Sequence, residues 1–473
     1  MYRAQVKEEN VMRQKTRDMT SGKPAGIIVS FALPLMLGNV FQQLYTVMDS
    51  VIVGRGVGVE ALAALGTSDW LSFTAMGGIT GVAQGFSVLI AQCFGAKDEK
   101  RLKKAVAMSV WTGSLITLLI MALFIGNLSR LLGLLRVPDN IRQPAHNYLL
   151  ILMFGLVATA LYNICSGILR AMGDSQTPLR AMIGASAVNI ILDLIFVLVF
   201  HWGVEGAALG TVLAQVCSGV ICFWQLKKYG IWNIEKADWK WDWEMAGHLL
   251  GLGIPVAFQN VIIGFGGIVI QYVINGFGLL YVAGFTATNK LYGLLELAAV
   301  SFGYATSSFV GQNLGAGEYG RIKEGVRASA KISIGIAVAI GAVLLLFGRS
   351  ILKIFISPEA SNASEVLTIA YNYLAVMGAT LIILYLLHIY RSALQGMGDT
   401  LIPMCSGIAE LVMRILIALL LPLIIGKEGI YFAETGAWLG AMVILIGAYR
   451  KRIRRFDQAA AHTPLSRRIR SEQ

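Results

Sequence analysis

Four residues of this 473-residue chain carry the oxygen chemistry of a small-cation site: Asp49, Asn189, Asp193 and Thr211. Asp49 closes an apolar stretch, with Tyr45 one turn earlier and Gln42 another turn back. Spacings of three and four place Gln42, Tyr45 or Thr46, and Asp49 along one helical face. Asn189 and Asp193 are four apart in a later apolar stretch and also share a face, and Thr211 adds a hydroxyl in the stretch after that. Two carboxylates, an amide carbonyl and a hydroxyl form a hard-oxygen set that suits a small cation. Two carboxylates buried side by side cannot both stay ionised without cost, so the same group could also exchange a proton. The plainer alternative is that Asp49 caps a helix near an outer surface and Asp193 pairs with a neighbouring hydroxyl.

These residues need elements to hold them, and composition names the kind. Apolar residues make up 56% of the chain and charged residues only 14%, against roughly 25% charged in soluble domains. Runs with little or no charge recur at 110–126, 181–200, 206–226, 332–347 and 401–425, near the length of about 20 residues that crosses a bilayer as a helix. Reading such runs between polar breaks gives twelve spans, beginning near residues 26, 61, 105, 145, 178, 205, 247, 280, 331, 366, 401 and 429. An ionisable group inside a span is costly, so Asp49 and Asp193 are functional suspects by default.

Charge then orients the chain. Most of its 39 Lys and Arg lie in the first 25 residues, at 97–104, 170–180, 227–240 and 321–331, at Arg391, and from Arg450 onward. The breaks between these hold few: Arg55, Arg130, Arg136, Arg142, Arg349, Lys353 and Lys427. The positive-inside rule places the first set, and both termini, in the cytoplasm of a multi-pass protein of the plasma (inner) membrane. The net charge of +12 is thereby topological, with membrane lipid as a partner and no nucleic acid. The polar opening residues are not a secretory signal. Trp232, Trp239, Trp241 and Trp243 suit an interfacial segment between the sixth and seventh spans. The five cysteines are scattered singly, without metal or disulfide spacing.

The chain also repeats itself. The segment from Phe31-Ala-Leu-Pro34 to Asn39 answers that from Leu252-Gly-Ile-Pro255 to Asn260; 91–96 answers 311–316; and Leu169-Arg-Ala-Met-Gly173-Asp174 with Pro178 answers Leu394-Gln-Gly-Met-Gly398-Asp399 with Pro403. Gly203 and Gly210 answer Gly429 and Gly436. The expected fold is all-α, with twelve transmembrane helices as two pseudo-symmetric six-helix bundles. Its parts are an N-terminal tail at 1–25, bundles at 26–226 and 247–450, a linker at 227–246 and a basic tail at 451–473. Parallel repeats of this kind place a substrate cavity between the halves. The Gly-Asp turns are expected to cap helices. Gly77, Gly81 and Gly85 form a close helix-packing face, and Pro34 is a candidate hinge in the first span, a static kink being the equally good alternative.

Several of these stretches resemble the multidrug and toxic compound extrusion (MATE) transporters. They are Pro34 with Asp49-Ser-Val-Ile-Val-Gly54, Tyr162-Asn-Ile-Cys-Ser-Gly167-Ile-Leu-Arg170-Ala-Met-Gly173-Asp174, and Asn189-Ile-Ile-Leu-Asp193. The likeness runs from about Gly26 to Arg450. It implies a first-half cation site at Asp49, Asn189, Asp193 and Thr211, and a first helix that bends at Pro34 with cation occupancy. Acids carried by some members in the seventh span have no counterpart between Gly251 and Gly278. In the second half Asn189 becomes Arg414, Asp193 becomes Ala418, and Asp49 falls opposite Ile270. Glu410 and Arg414, one turn apart, read as an ion pair, and Glu296 could meet a cationic substrate. Ion coupling is therefore expected in the first half alone.

The resulting expectation is a monomeric antiporter. It exports amphipathic, cationic organic compounds in exchange for protons or sodium ions and needs no cofactor beyond that ion. Phe41, Gln42, Tyr45, Met48, Gln259 and Tyr272, with Glu296, are the candidate cavity residues, offering apolar and cation–π contacts. The alternative is a flippase for a lipid-linked precursor, disfavoured because only Lys290 and Arg414 remain inside spans to meet phosphates. An enzyme is not expected, since neither clustered His nor a P-loop is present.

Overall fold

A computed structural model describes residues 17–135, 137–356 and 362–461. The first 16 residues, Arg136 and the basic tail beyond Ala461 lie outside the described residues.

Among the described residues the chain is helical throughout. Its elements are α1 (Pro24–Gly56), α2 (Val59–Gly95), α3 (Glu99–Leu134), α4 (Asp139–Phe154), α5 (Leu156–Ala171), α6 (Gln176–Asp193), α7 (Gly203–Lys228), α8 (Trp243–Phe277), α9 (Leu279–Gly315), α10 (Tyr319–Leu352), α11 (Ala363–Gly396), α12 (Leu401–Ile425) and α13 (Ala433–Ala461). A π-helical turn, Leu194–Val199, continues α6, and a 3₁₀ turn, Lys427–Phe432, leads into α13. Eleven helical segments are long and apolar enough to cross a membrane, and the count reaches twelve when α4 and α5, bent by 42° at their junction, form one span. The fourth of the expected spans is thus broken. Large apolar side chains face outward, among them Leu119, Leu346 and Leu423, as lipid-facing surface requires and a water-facing one does not.

Local chemistry sets the helix ends. Pro24 opens α1, where its missing N–H is no loss. Asp98 caps α3 by accepting from the Arg101 amide at 2.9 Å. The first Gly-Asp turn behaves as expected: Gly173 sits at φ 84°, and Asp174 accepts from the amides of Gln176 and Thr177 at 3.0 and 2.9 Å. Asp174 also takes the hydroxyls of Thr177 at 2.6 Å and Tyr229 at 2.8 Å. α1 passes through Pro34 as one helix.

Two compact units emerge: Val29–Gly264, and Phe265–Gln473 with the short segment Gly22–Ile28. The division falls inside α8, beyond the polar linker, because the first half of α8 packs on α2 of the first unit. A Cβ on Gly81 would stand 2.5 Å from the Ala257 Cα, and one on Gly85 2.5 Å from the Gly253 Cα. Only glycine allows backbones that close. Within the first unit, Val82, Phe86, Met108, Leu169, Tyr229 and Leu249 belong to one buried cluster. The linker tryptophans Trp232 and Trp239 lean on it, and the Trp111 indole donates to the Trp239 carbonyl at 3.2 Å. In the second unit, Ala287, Leu291, Leu344, Leu352, Ala370 and Leu374 form another such cluster. Cys93, Cys165 and Cys222 are buried, Cys217 is half-buried and Cys405 is exposed; all five thiols are free.

Candidate cation site

In the first unit α1, α6 and α7 meet at one polar junction. Ser186 of α6 donates to the Phe41 carbonyl of α1 at 3.2 Å, and a Cβ on Gly38 would touch the Leu179 backbone at 3.6 Å. Two turns beyond Phe41, that approach brings Asp49 to α6. The Asn189 amide donates to Asp49 Oδ1 at 3.5 Å and to Thr211 Oγ1 at 3.5 Å, and Thr211 donates to Asp49 Oδ2 at 3.2 Å. Asp193 stands beside Asp49, close enough for one proton to bridge the two carboxyls. All four predicted residues therefore converge.

Burial makes the junction unusual. Asn189 and Asp193 are wholly inaccessible and Asp49 nearly so. Neither oxygen of Asp193 has a hydrogen-bond donor, and the Asn189 side-chain carbonyl oxygen has none either. Among the described residues no Lys or Arg pairs with Asp49 or Asp193. Buried carboxylate oxygens without a donor are expensive, and a cation among them removes that cost. Space for Asp193 is made by Gly210 of α7, since any Cβ there would run into its Oδ1. Asp193 is also the last α-helical residue before the π turn, a geometry frequent at functional sites.

Gln215 was not singled out by the sequence, although it lies one turn beyond Thr211 on α7. Its side chain and that of Gln42 meet the Tyr45 hydroxyl, and its carbonyl oxygen is buried without a donor. The i, i+4 spacing from Thr211 was the available signal. Among the other cavity candidates of this unit, Tyr45 and Gln259 are buried, Phe41 is half-buried, and Gln42 and Met48 are exposed.

The second unit arranges its acids differently. Glu296 is half-buried and faces His388 at 3.5 Å, while Tyr272 is 79% exposed. The expected Glu410–Arg414 pair is present at 3.1 Å and belongs to a longer ladder. Arg391 bonds Glu410 at 2.7 Å, and Arg414 also bonds Glu434 at 2.8 Å. Arg391, read from sequence as a cytoplasmic charge, is buried within α11, and Glu434 of α13 was missed. Spacing along one helix finds i, i+4 partners; Arg391 and Glu434 reach this ladder from other helices.

The comparisons with known proteins agree with one another. The profile of a family described as MatE matches residues 34–195 and 255–420. The chain is 31% identical over 356 residues to "Probable multidrug resistance protein YpnP" of Bacillus subtilis, covering 74% of this chain and 79% of that one. It is 22% identical over 426 residues to "Multidrug export protein MepA" of Staphylococcus aureus, covering 88% and 92%. Among solved structures, an outward-facing multidrug resistance MATE family transporter of the MOP superfamily superposes with a TM-score of 0.86 at 24% identity, over 94% of this chain and 99% of that one.

Proposed function

Since the chain belongs to the MATE family of membrane transporters, we propose that it is a secondary antiporter exporting amphipathic, cationic organic compounds in exchange for protons or sodium ions. The observation that carries this reading is the buried junction of Asp49, Asn189, Asp193 and Thr211, where Asp193 offers two oxygens with no donor. A proton bridging the two carboxyls, or a sodium ion held by them with the Asn189 carbonyl and the Thr211 hydroxyl, satisfies those oxygens. The long contacts of 3.2–3.5 Å among Asn189, Thr211 and Asp49 are free to tighten around such a cation. Ion entry joins α6 and α7 to α1, and α1, carrying Pro34, is the element whose bending would pass occupancy to the substrate. Phe41, Gln42, Tyr45 and Met48 ride on that helix; Gln259, Tyr272 and Glu296 are the further contacts. The transporter works as a monomer in the plasma (inner) membrane, both termini cytoplasmic, by alternating access.

The flippase reading needs several unpaired cations for phosphate; Arg391 and Arg414 are already held by Glu410 and Glu434, which leaves the exposed Lys290 of α9.

Efflux of a fluorescent cationic dye from membrane vesicles, with pH and sodium gradients imposed separately, tests the proposal. One gradient should drive efflux in the wild type, and Asp49→Asn and Asp193→Asn should each cut the driven component at least about tenfold, the kinetic equivalent of about 1.4 kcal/mol. Wild-type efflux indifferent to both gradients, or full coupling in both variants, would overturn it.

A further inference from the structure

The same three-helix junction exists in both units, and the second one is filled by the protein itself. By the repeat, α1, α6 and α7 correspond to α8, α12 and α13. The offset that carries Pro34 onto Pro255 carries Tyr45 onto Gly266, and the offset that carries Pro178 onto Pro403 carries Asn189 onto Arg414. In the second unit the Arg414 guanidinium lies against the bare backbone of Gly266, so that any Cβ there would collide with its Nη1. It thus takes the room that a tyrosine side chain occupies in the first unit.

We propose that Arg414 is a tethered cation that supplies the counter-charge a coupling ion would otherwise bring to this junction, closing the second unit to ions and leaving one coupling site per chain. The inference rests on the ion-coupled reading of the first unit for its meaning, but not for its test. Arg414 Nη2 bonds Glu410 at 3.1 Å and Glu434 at 2.8 Å, and both it and Glu410 have side chains only 5% exposed. Glu410 has a second partner in Arg391. Glu434 has Arg414 alone among the described residues. A guanidinium keeps its charge at every physiological pH and grips carboxylates through fixed donors. The ladder is therefore neutral without any exchangeable ion: Arg391 and Arg414 balance Glu410 and Glu434. The other ionisable groups around it are Glu296, His388, Tyr292 and Tyr373. In the first unit Asp49 and Asp193 have no such internal counter-charge, and an exchangeable cation must supply it.

Removing the tethered cation should open the closed site. In Arg414→Gln, Glu434, whose side chain is 15% exposed, is left without a base and takes up a proton. Purified wild type and variant, in detergent, are titrated across neutral pH and their bound protons counted, while infrared difference spectra report protonated carboxyls. The expected result is a gain of about one proton per chain and a new carboxylic-acid band. Both should vanish in the double variant Arg414→Gln/Glu434→Gln, and neither should appear in Arg414→Lys. A folded Arg414→Gln protein with no added proton and no new band would overturn the proposal. Should Arg414→Gln not fold, Glu434→Gln decides. An unchanged proton count at neutral pH supports a permanently ionised Glu434, and the loss of one bound proton overturns it. No part of this readout uses transport, so dye efflux indifferent to ions would fail the antiporter reading while leaving the proton count to judge Arg414.

Discussion

The two units bury acids at corresponding junctions and balance them in different ways. In the first, Asp49 and Asp193 share one pocket with an amide and a hydroxyl and no base. In the second, Glu410 and Glu434 alternate with Arg391 and Arg414 at 2.7–3.1 Å. A charge inside a membrane span is costly in either case. Where partners are covalently present, the charges hold helices together and removing one strands another. Where partners are absent, the structure is satisfied only by something that arrives and leaves. On the proposed reading, a duplicated scaffold separates into a fixed half and an exchangeable one, by which side chains were placed around the same junction.

The sharpest way to break this comparison is to make one chemical change in both units. Glu410→Gln removes the acid shared by two arginines, leaving Arg414 with Glu434 and the buried Arg391 without its carboxylate partner. Breaking a buried pair from one side costs about 3–5 kcal/mol, so thermal unfolding in detergent should move to markedly lower temperature. Asp193→Asn is the same acid-to-amide change, but it removes a charge that has no base, and the amide brings donors to oxygens that lacked them. Its thermal stability should equal or exceed wild type. Equal losses in the two variants would mean that Asp193, too, sits in a compensated network.

How much of this was legible in the sequence follows the range of each interaction. Twelve spans, the duplication and the polar pairs within single helices could be read because hydropathy and helical spacing act over a few residues, and Asn189 with Asp193, or Gln42 with Tyr45, are neighbours on one helix. The Glu410–Arg414 pair was legible for the same reason. The step from that pair to the ladder was not: Arg391 comes from α11 and Glu434 from α13, and Glu434 reads as an ordinary first-turn acid. The break at Gly155 was also hidden, because hydropathy continues through it. The α1–α6 approach that joins Asp49 to Asn189 is a tertiary contact, which the resemblance to known transporters supplied and spacing did not.

A smaller contrast lies in two glycines that the repeat pairs. A Cβ on Gly210 would meet Asp193 Oδ1, whereas one on Gly436 would meet the Cδ1 of Ile417. Gly210→Ala should push the carboxylate aside and weaken ion dependence of dye efflux by about tenfold, or about 1.4 kcal/mol of ion affinity. Gly436→Ala should shift only an apolar methyl, leaving ion dependence unchanged at an overpacking cost of about 1 kcal/mol. Ion-concentration curves for the two variants check this, and an equal shift in both would argue that Gly210 matters for packing rather than for Asp193.

The mildest contrast concerns the paired Gly-Asp turns outside the spans. Asp174 is buried and accepts four hydrogen bonds, from Gln176, from Thr177 twice and from Tyr229, while Asp399 accepts one, from the Ile402 amide at 3.3 Å. Burial and the neighbouring Asp174 carboxylate push the Tyr229 phenol well above its usual range. A raised phenol contributes stability that is fully present below its unfolded value of about 10, declines as pH climbs above that value and is gone once pH has passed the folded one. The Tyr229–Asp174 bond therefore persists across the physiological range. Asp174→Ala strands a buried phenol and two helix-start amides, and should cost about 2 kcal/mol. Asp399→Ala should cost under about 1 kcal/mol. Thermal melts at neutral pH separate the two, and melts at alkaline pH should narrow the gap, because wild type then loses the Tyr229 contribution that Asp174→Ala has already lost. A gap that stays constant with pH would assign the difference to the Thr177 and backbone contacts instead.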